Sequence, residues 1–329
     1  MTAVPLCRAS QIEPFSSWLE DQGVPARPIL KAVGLPTEPL EIANRWVAEL
    51  PIWRFCDVAT RSQGIEDFGL RVGLDTDVAS IGAFGRALRA ATTLGHALEV
   101  FLAELNLHST SSVFGVRKAG EFVWFWRAGL PGIRSDAVEQ YAAGLMIQIV
   151  RLAAGSHWLP DRIALQASRV PVELLAAARI DSGAPQTAIR LPGALLAQSL
   201  RLAAPDTDDD LSLLRGATAE PDLVGSLRQA IAPVLADGPP GLQWAAEAVN
   251  TSERTLKRRL RELGLSWSGL VGQSRFDAAR ELLANSDLSL GNVGRQVGYS
   301  DPANFSRAFR RWTGVPPSRY RSSEGERGA

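Results

Sequence analysis

Cysteine and histidine are scarce: the 329 residues contain two cysteines, Cys7 and Cys56, and three histidines, His96, His108 and His157. The cysteines stand far apart, with no second cysteine or histidine at ligand spacing. Neither a disulfide framework nor a metal motif can be written, and free thiols or small core fillers are expected. No run of about 18 uncharged apolar residues occurs, and residues 1–12 lack the basic-then-apolar order of a signal peptide. A membrane protein is therefore not expected, and the chain reads as cytoplasmic. Glycine-rich phosphate loops and nucleophile elbows are missing too, which leaves no catalytic residue to name and no cofactor or metal to expect. Net charge is also missing, since 35 Lys and Arg balance 35 Asp and Glu.

That zero conceals a division. Residues 223–329 carry 15 Lys and Arg against 10 Asp and Glu, whereas residues 1–222 carry 20 against 25. The basic excess matters because it concentrates in two short segments. With 46% hydrophobic and 21% charged residues, the chain is ordinary globular material, long enough for two domains. Residues 204–222 turn polar and acidic, with Pro205, the run Asp206-Thr207-Asp208-Asp209-Asp210, and Pro221. The acidic run lacks the glycine turn and distal glutamate of a calcium loop, so a solvated linker is expected. The expected division is a first domain at 1–205, a linker at 206–222, a second domain at 223–322 and a tail at 323–329.

In the first domain Leu94, Leu98, Phe101, Leu102 and Leu105 share a helical face, as do Val138, Tyr141, Ala142, Leu145, Ile149 and Leu152, with Ser135 as N-cap of the second helix. Between them, residues 109–117 and 121–127 are rich in β-branched and aromatic side chains and flank Lys118-Ala119-Gly120, a hairpin signal. Strand-like runs recur at 162–167 and 187–191, separated by a helix that opens at Pro171. These features predict an α+β domain, helices leading and a small sheet following. Beyond the linker the chain is predicted all-α through Arg321. It begins with an amphipathic helix on Leu223, Leu227, Ile231 and Leu235, ended by Gly238-Pro239-Pro240-Gly241.

The second domain repeats itself. Ser252-Glu253-Arg254-Thr255-Leu256-Lys257-Arg258-Arg259-Leu260 and Asp301-Pro302-Ala303-Asn304-Phe305-Ser306-Arg307-Ala308-Phe309 follow one plan. Each opens on an N-cap residue, and the second places proline at the first helical position, where its missing N–H is harmless. Each carries large apolar residues four apart, so one face turns inward and the other stays polar and basic. Upstream lie short helices at 242–249 and 290–297, then tight turns through Asn250 or Gly298, residues that tolerate the left-handed conformation. Ala246 and Gly294 stand four residues before those turns, where a small side chain admits the crossing helix. A short helix, a tight turn and a second helix with a cationic outer face describe a helix-turn-helix. A plain bundle with solvated charges would explain one such unit but not the repetition.

The motif Ser252-x-Arg254-Thr255-Leu256-x-Arg258-x-Leu260 is followed by Ala279-x-x-Leu282-Leu283 and by Val293-x-x-x-Val297-Gly298-Tyr299-x-Asp301-Pro302-x-Asn304-Phe305-x-Arg307-x-Phe309-x-Arg311-Trp312-x-Gly314-x-x-Pro317-x-x-Tyr320-Arg321. On these residues the segment 223–321 resembles the DNA-binding domain of the AraC/XylS family of bacterial transcription regulators. Trp267 stands where that family usually has phenylalanine, and Val293-Gly294 replaces a common isoleucine-alanine. The resemblance implies a long helix joining the two units, here Trp267–Asn285 with Leu270, Phe276, Ala279 and Leu283 buried. Such a helix sets the recognition helices to enter successive major grooves roughly 34 Å apart.

Carried over by position, Arg254, Lys257 and Arg258 face bases from the first unit, and Pro302, Ala303, Asn304 and Arg307 from the second. Arg254 and Arg258 can each offer a bidentate fork to guanine, whereas Ala303 offers only apolar contact. Arg259, Arg261, Arg310 and Arg311 suit phosphate contact or intradomain pairing equally, and Phe309, Trp312 and Tyr320 suit the core.

Residues 1–205 resemble the α+β effector-binding and dimerisation domain of one branch of the same family, through Gly23-Val24, Ala32-Val33-Gly34-Leu35, Asp67-Phe68-Gly69-Leu70-Arg71-Val72-Gly73 and Thr93-Leu94-Gly95-x-Ala97-Leu98. The resemblance implies a small-molecule effector, an amino acid or an amine being the guess, and a homodimer that activates transcription with RNA polymerase as partner. Trp124 and Trp126, on one face of the strand at 122–127, are the candidate effector contacts, though core packing alone also accounts for them. An effector-independent architectural DNA-binding protein and, more remotely, a fused enzyme are the alternatives.

Overall fold

The computed structural model describes residues 3–78, 81–169, 175, 177–200, 214–215 and 218–328. The acidic run at 206–210 and the helix expected at Pro171 lie outside the described residues. Two three-residue strands, β1 (Leu6–Arg8) and β2 (Trp46–Ala48), pair antiparallel with Cys7 opposite Val47. Helices α1 (Glu13–Asp21), α2 (Ala26–Val33), α3 (Glu49–Gln63) and α4 (Phe68–Asp75) gather beside them around Phe15, Leu19, Leu30, Trp53, Phe55 and Phe68.

After α5 (Gly82–Arg89) and α6 (Leu94–Glu104) comes the hairpin of β3 (Val113–Ala119) and β4 (Phe122–Ala128), turning at Gly120. Helix α7 (Asp136–Ala154) follows, its N-cap Ser135 Oγ accepting the Val138 N–H at 3.3 Å. Strands β5 (Arg162–Leu165), β6 (Arg179–Ser182) and β7 (Thr187–Pro192) complete a sheet of order β3-β4-β7-β5-β6, antiparallel except for β5 with β6. The domain is α+β, with a small additional strand pair at its start. One face of the sheet packs Val123, Phe125, Ile163, Ile189 and Leu191 against Met146, Ile147, Ile149 and Val150 of α7 and Phe101 of α6.

Helices α4 and α7 touch backbone to backbone. A Cβ on Gly69 would lie 1.8 Å from the Ala137 carbonyl oxygen, and one on Gly73 2.6 Å from that of Tyr141. The glycines of the 67–73 motif are therefore explained by contact distance, because any larger residue would force the helices apart.

The second domain is helical throughout its described length, with α8 (Leu223–Ile231), α9 (Leu242–Ala248), α10 (Glu253–Glu262), α11 (Trp267–Asn285), α12 (Leu290–Gln296), α13 (Pro302–Thr313) and α14 (Pro317–Gly328). The amphipathic helix expected to reach Leu235 tightens instead into a 3-10 turn at Ala232–Asp237, since Pro233 supplies no N–H and disfavours α geometry before it. Helix α14 also runs on through most of the stretch expected as a tail. Helix α11 serves two cores: Leu270 and Val271 join Leu256 and Leu260, while Ala279 and Leu283 join Phe305 and Phe309.

The two domains share apolar surface. Val4, Leu6, Trp46 and Ala48 lie in one cluster with Leu223, Leu227, Ala230 and Ile231 of α8. Around that cluster the Val4 N–H donates to Ser226 Oγ at 2.9 Å, Thr37 Oγ1 donates to Asp237 at 2.7 Å, and the Trp244 indole N–H donates to the Gly34 carbonyl at 3.1 Å. Gly34 sits at φ 71°, and a Cβ there would fall 2.5 Å from the Trp244 ring. Ion pairs Arg45–Glu281 and Arg54–Glu247 close the rim.

Candidate functional site

The two helix-turn-helix units have the same turn. After α9 the chain passes through Asn250 at φ 48°, and the Thr251 N–H reaches back to the Ala246 carbonyl at 2.8 Å. After α12 it passes through Gly298 at φ 82°, and the Tyr299 N–H reaches the Gly294 carbonyl at 2.8 Å. Both turns close with the sharp, left-handed helix ending that such a residue permits. The following helices are capped alike, Ser252 Oγ accepting from the Thr255 N–H at 3.2 Å and Asp301 Oδ1 from the Ala303 N–H at 2.9 Å. Gly294 lies under Phe305, where a Cβ would come within 3.2 Å of the Phe305 Cβ. The missing methyl therefore makes room for the crossing of α12 and α13, as expected of a small residue there.

Leu256 and Leu260 turn inward from α10, while Arg254, Lys257, Arg258 and Arg261 are exposed on its other side. Phe305 and Phe309 turn inward from α13, while Pro302, Ala303, Asn304, Arg307, Arg310 and Arg311 are exposed. Arg258 makes a loose 3.7 Å contact with Glu262, both side chains well exposed, and Arg307 donates to Asn304 at 2.5 Å. Such exposed pairs exchange readily for phosphate or base acceptors. Arg259 is half-buried. Arg275 of α11 does structural duty: it donates to the Gly298 carbonyl at 3.1 Å and lies 4.7 Å from the Tyr299 ring centre. Trp312 and Tyr320 pack against Phe276 and Phe309, in the second unit's core.

In the first domain a cavity that opens in part to solvent lies between α1, α3, α6, α7 and the inner face of the β3–β4 hairpin. Inside it about 70 Å³ is open to the centre of a water molecule. Phe15, Trp53, Phe101 and Phe114 contribute aromatic wall, and Glu49, His108 and Arg127 contribute polar groups. Strand β4 alternates strictly, with Val123, Phe125 and Arg127 buried and Trp124 and Trp126 half-buried on the opposite face. The two tryptophans thus stand away from this cavity: Trp126 covers Gly115 and Trp124 lies under Arg162. The effector contacts expected at Trp124 and Trp126 need a different location if this cavity is the site, because the pleat sends them outward.

Glu49 and Arg127 are the residues that periodicity passed over. Glu49 is a lone carboxylate in the apolar stretch 46–53, and Arg127 falls on the buried phase of β4; a charge in an apolar phase is the signal that was available. Arg127 Nη1 pairs with Glu139, whose other oxygen accepts from the Thr187 hydroxyl at 2.5 Å. Glu49 accepts from the Trp53 indole N–H and the Ser109 hydroxyl, each at 3.3 Å, and from the Ser111 hydroxyl. Burial raises the Glu49 carboxyl above its ordinary range, although the Ser111 hydroxyl, the Arg127 charge and the Trp53 and Ser109 donors oppose that shift. Burial and then the Arg8 charge push His108 down to about 3. Cys7 and Cys56 are buried, their thiols raised chiefly by desolvation, which makes them poor nucleophiles.

Among the described residues no helix is long and apolar enough to cross a membrane, and no group of three or more His, Cys, Asp and Glu is placed to hold a metal ion. Residues 23–200 match the family described as the arabinose-binding domain of AraC transcription regulators, N-terminal, and residues 245–323 match a helix-turn-helix domain family. The HTH-type transcriptional regulator VirS of Mycobacterium tuberculosis is 23% identical over 341 residues, covering 98% of each chain. The HTH-type transcriptional regulator VqsM of Pseudomonas aeruginosa is 37% identical over 103 residues, a match confined to 30% of this chain and 32% of VqsM. Among solved structures, the transcriptional regulator CdpR of Pseudomonas aeruginosa aligns over 95% of this chain and 98% of its own at 23% identity, with a TM-score of 0.40.

Proposed function

This chain belongs to the AraC family of DNA-binding transcription regulators, and from that premise we propose that it is an effector-controlled activator that works in the cytoplasm as a homodimer and has no enzymatic activity. The observation that carries the reading is the duplicated turn and cap geometry, which presents two basic helix faces from one subunit. Arg254, Lys257 and Arg258 are the principal base readers, with Pro302, Ala303, Asn304 and Arg307 in the adjacent groove and Arg261, Arg310 and Arg311 on phosphates. A small molecule, an amino acid or an amine, binds the first domain and alters DNA affinity through the apolar cluster both domains share. Activation, dimerisation and an RNA polymerase contact rest on the family resemblance.

Genome-wide mapping of occupied sites supplies the operator. Titrations on that duplex and on a scrambled one then test the contact scheme. Arg258→Ala is expected to lose about 1–3 kcal/mol on the operator and much less on the scrambled duplex, whereas Arg311→Ala weakens both alike. Equal losses on both duplexes for Arg258→Ala overturn the assignment of base reading to α10.

A further inference from the structure

The cavity of the first domain holds a charge imbalance. Arg127 is committed to Glu139, and the second oxygen of Glu139 is taken by Thr187. That leaves Glu49, buried, with donors that carry no charge: an indole N–H and two serine hydroxyls. Among the described residues the cation acting on Glu49 is Arg127, which is already shared. Neutral donors satisfy oxygen lone pairs but leave a negative charge on a buried side chain among mostly apolar neighbours, where an uncompensated ion is costly. A ligand that brings a positive charge removes that cost.

The surrounding wall narrows the choice. Phe15, Trp53, Phe101 and Phe114 present aromatic surface, which accepts an ammonium group or an apolar body but gives the many hydroxyls of a sugar no partners on that side. The free space suits one ring or a short branched chain. We propose that the cavity binds a small organic ammonium ion, its charged head on Glu49 and its apolar body among these rings, and that this ion is the effector. The assignment rests on the effector-controlled reading above, and it goes beyond it by naming the site and the ligand chemistry.

Glu49 also occupies an informative place in the chain. It is the first residue of α3 and directly follows β2, whose Trp46 and Ala48 lie in the cluster shared with α8. A ligand that draws on the Glu49 carboxylate acts one peptide unit from the contact between the domains.

The full-length chain would be titrated with 2-phenylethylamine, isopentylamine and the neutral 2-phenylethanol, followed by tryptophan fluorescence. Operator and scrambled-duplex affinities would be measured on the same samples. The expected result is saturable amine binding, with 2-phenylethanol weaker by about tenfold or more, and loss of that preference in Glu49→Gln. Equal affinity for amine and alcohol in the unsubstituted chain, no amine binding, or a preserved preference in a folded Glu49→Gln overturns the proposal. The amine–alcohol comparison needs no variant, so it stands even if Glu49→Gln fails to fold. Loss of operator discrimination by the unsubstituted chain refutes the regulator reading, whereas intact discrimination without amine preference refutes the cavity assignment alone.

Discussion

His108 is a residue whose burial has a measurable sign. Its folded-state value of about 3 lies below the ordinary 6.5, because burial and then the Arg8 charge disfavour the imidazolium. A group depressed in this way leaves stability intact above the unfolded value and withdraws it as pH falls toward the folded one. Between about pH 7 and about pH 5 the unsubstituted chain should therefore lose about 2 kcal/mol that His108→Gln does not. Urea unfolding at the two pH values checks this, and identical losses in both proteins would remove the argument. At this scale the sequence was most legible where charge and periodicity agreed. Arg254, Lys257, Arg258 and Arg307 all emerge on the polar sides of their helices. It was least legible where charge opposed periodicity: Glu49 and Arg127 are held inside by partners such as Ser111 and Glu139, 62 and 12 residues away, and spacing gives no hint of them.

Among the elements, the two turns differ in what they demand. Asn250 meets its positive φ with no glycine, while Gly298 carries φ 82° in a place where a Cβ would come within 2.6 Å of the Leu235 carbonyl oxygen. Gly298→Ala should cost about 2–4 kcal/mol, combining backbone strain with overpacking. Asn250→Gly should stay within about 0.5 kcal/mol, because glycine takes that conformation freely but gains unfolded-state entropy. Thermal melts of both variants provide the comparison, and a silent Gly298→Ala would discredit the packing argument. Long elements such as α7, α11 and the β3–β4 hairpin could be read from their periods of 3.6 and 2. Strands β1 and β2 are three residues long, too short for alternation to register, and each exists because the other pairs with it; β6 buries no face that would show as alternation and is fixed by its pairing with β5. The end of α8 was misplaced because apolar spacing continued to Leu235 past Pro233, which the 3-10 turn accommodates.

For the whole molecule, the shared cluster predicts how the chain comes apart. Removing the first domain would strip Val4, Leu6, Trp46 and Ala48 from Leu223, Leu227, Ala230 and Ile231, and each large side chain so exposed forfeits about 1.5–3 kcal/mol. One calorimetric transition is therefore expected for the full chain, with a fragment spanning 218–329 melting lower. A separate endotherm for the second domain, matching that of the fragment, would show the cluster to be energetically idle. Exposed pairs such as Arg45–Glu281 add little to this coupling; the apolar faces and the Trp244–Gly34 contact carry it. Two-domain composition was legible in the charge division, but not the fit between the domains, since Gly34 and Trp244 meet only in the folded chain. The junction of Ala48 with Glu49 adds a last consequence. Because it joins the cavity wall to the cluster beneath α8, any occupant that changes operator affinity must have its own affinity changed by the operator, by the same factor. For the ammonium ion proposed here, DNA would then be an allosteric effector of the cavity, and an operator-loaded protein would take up that ligand at a different threshold from a free one.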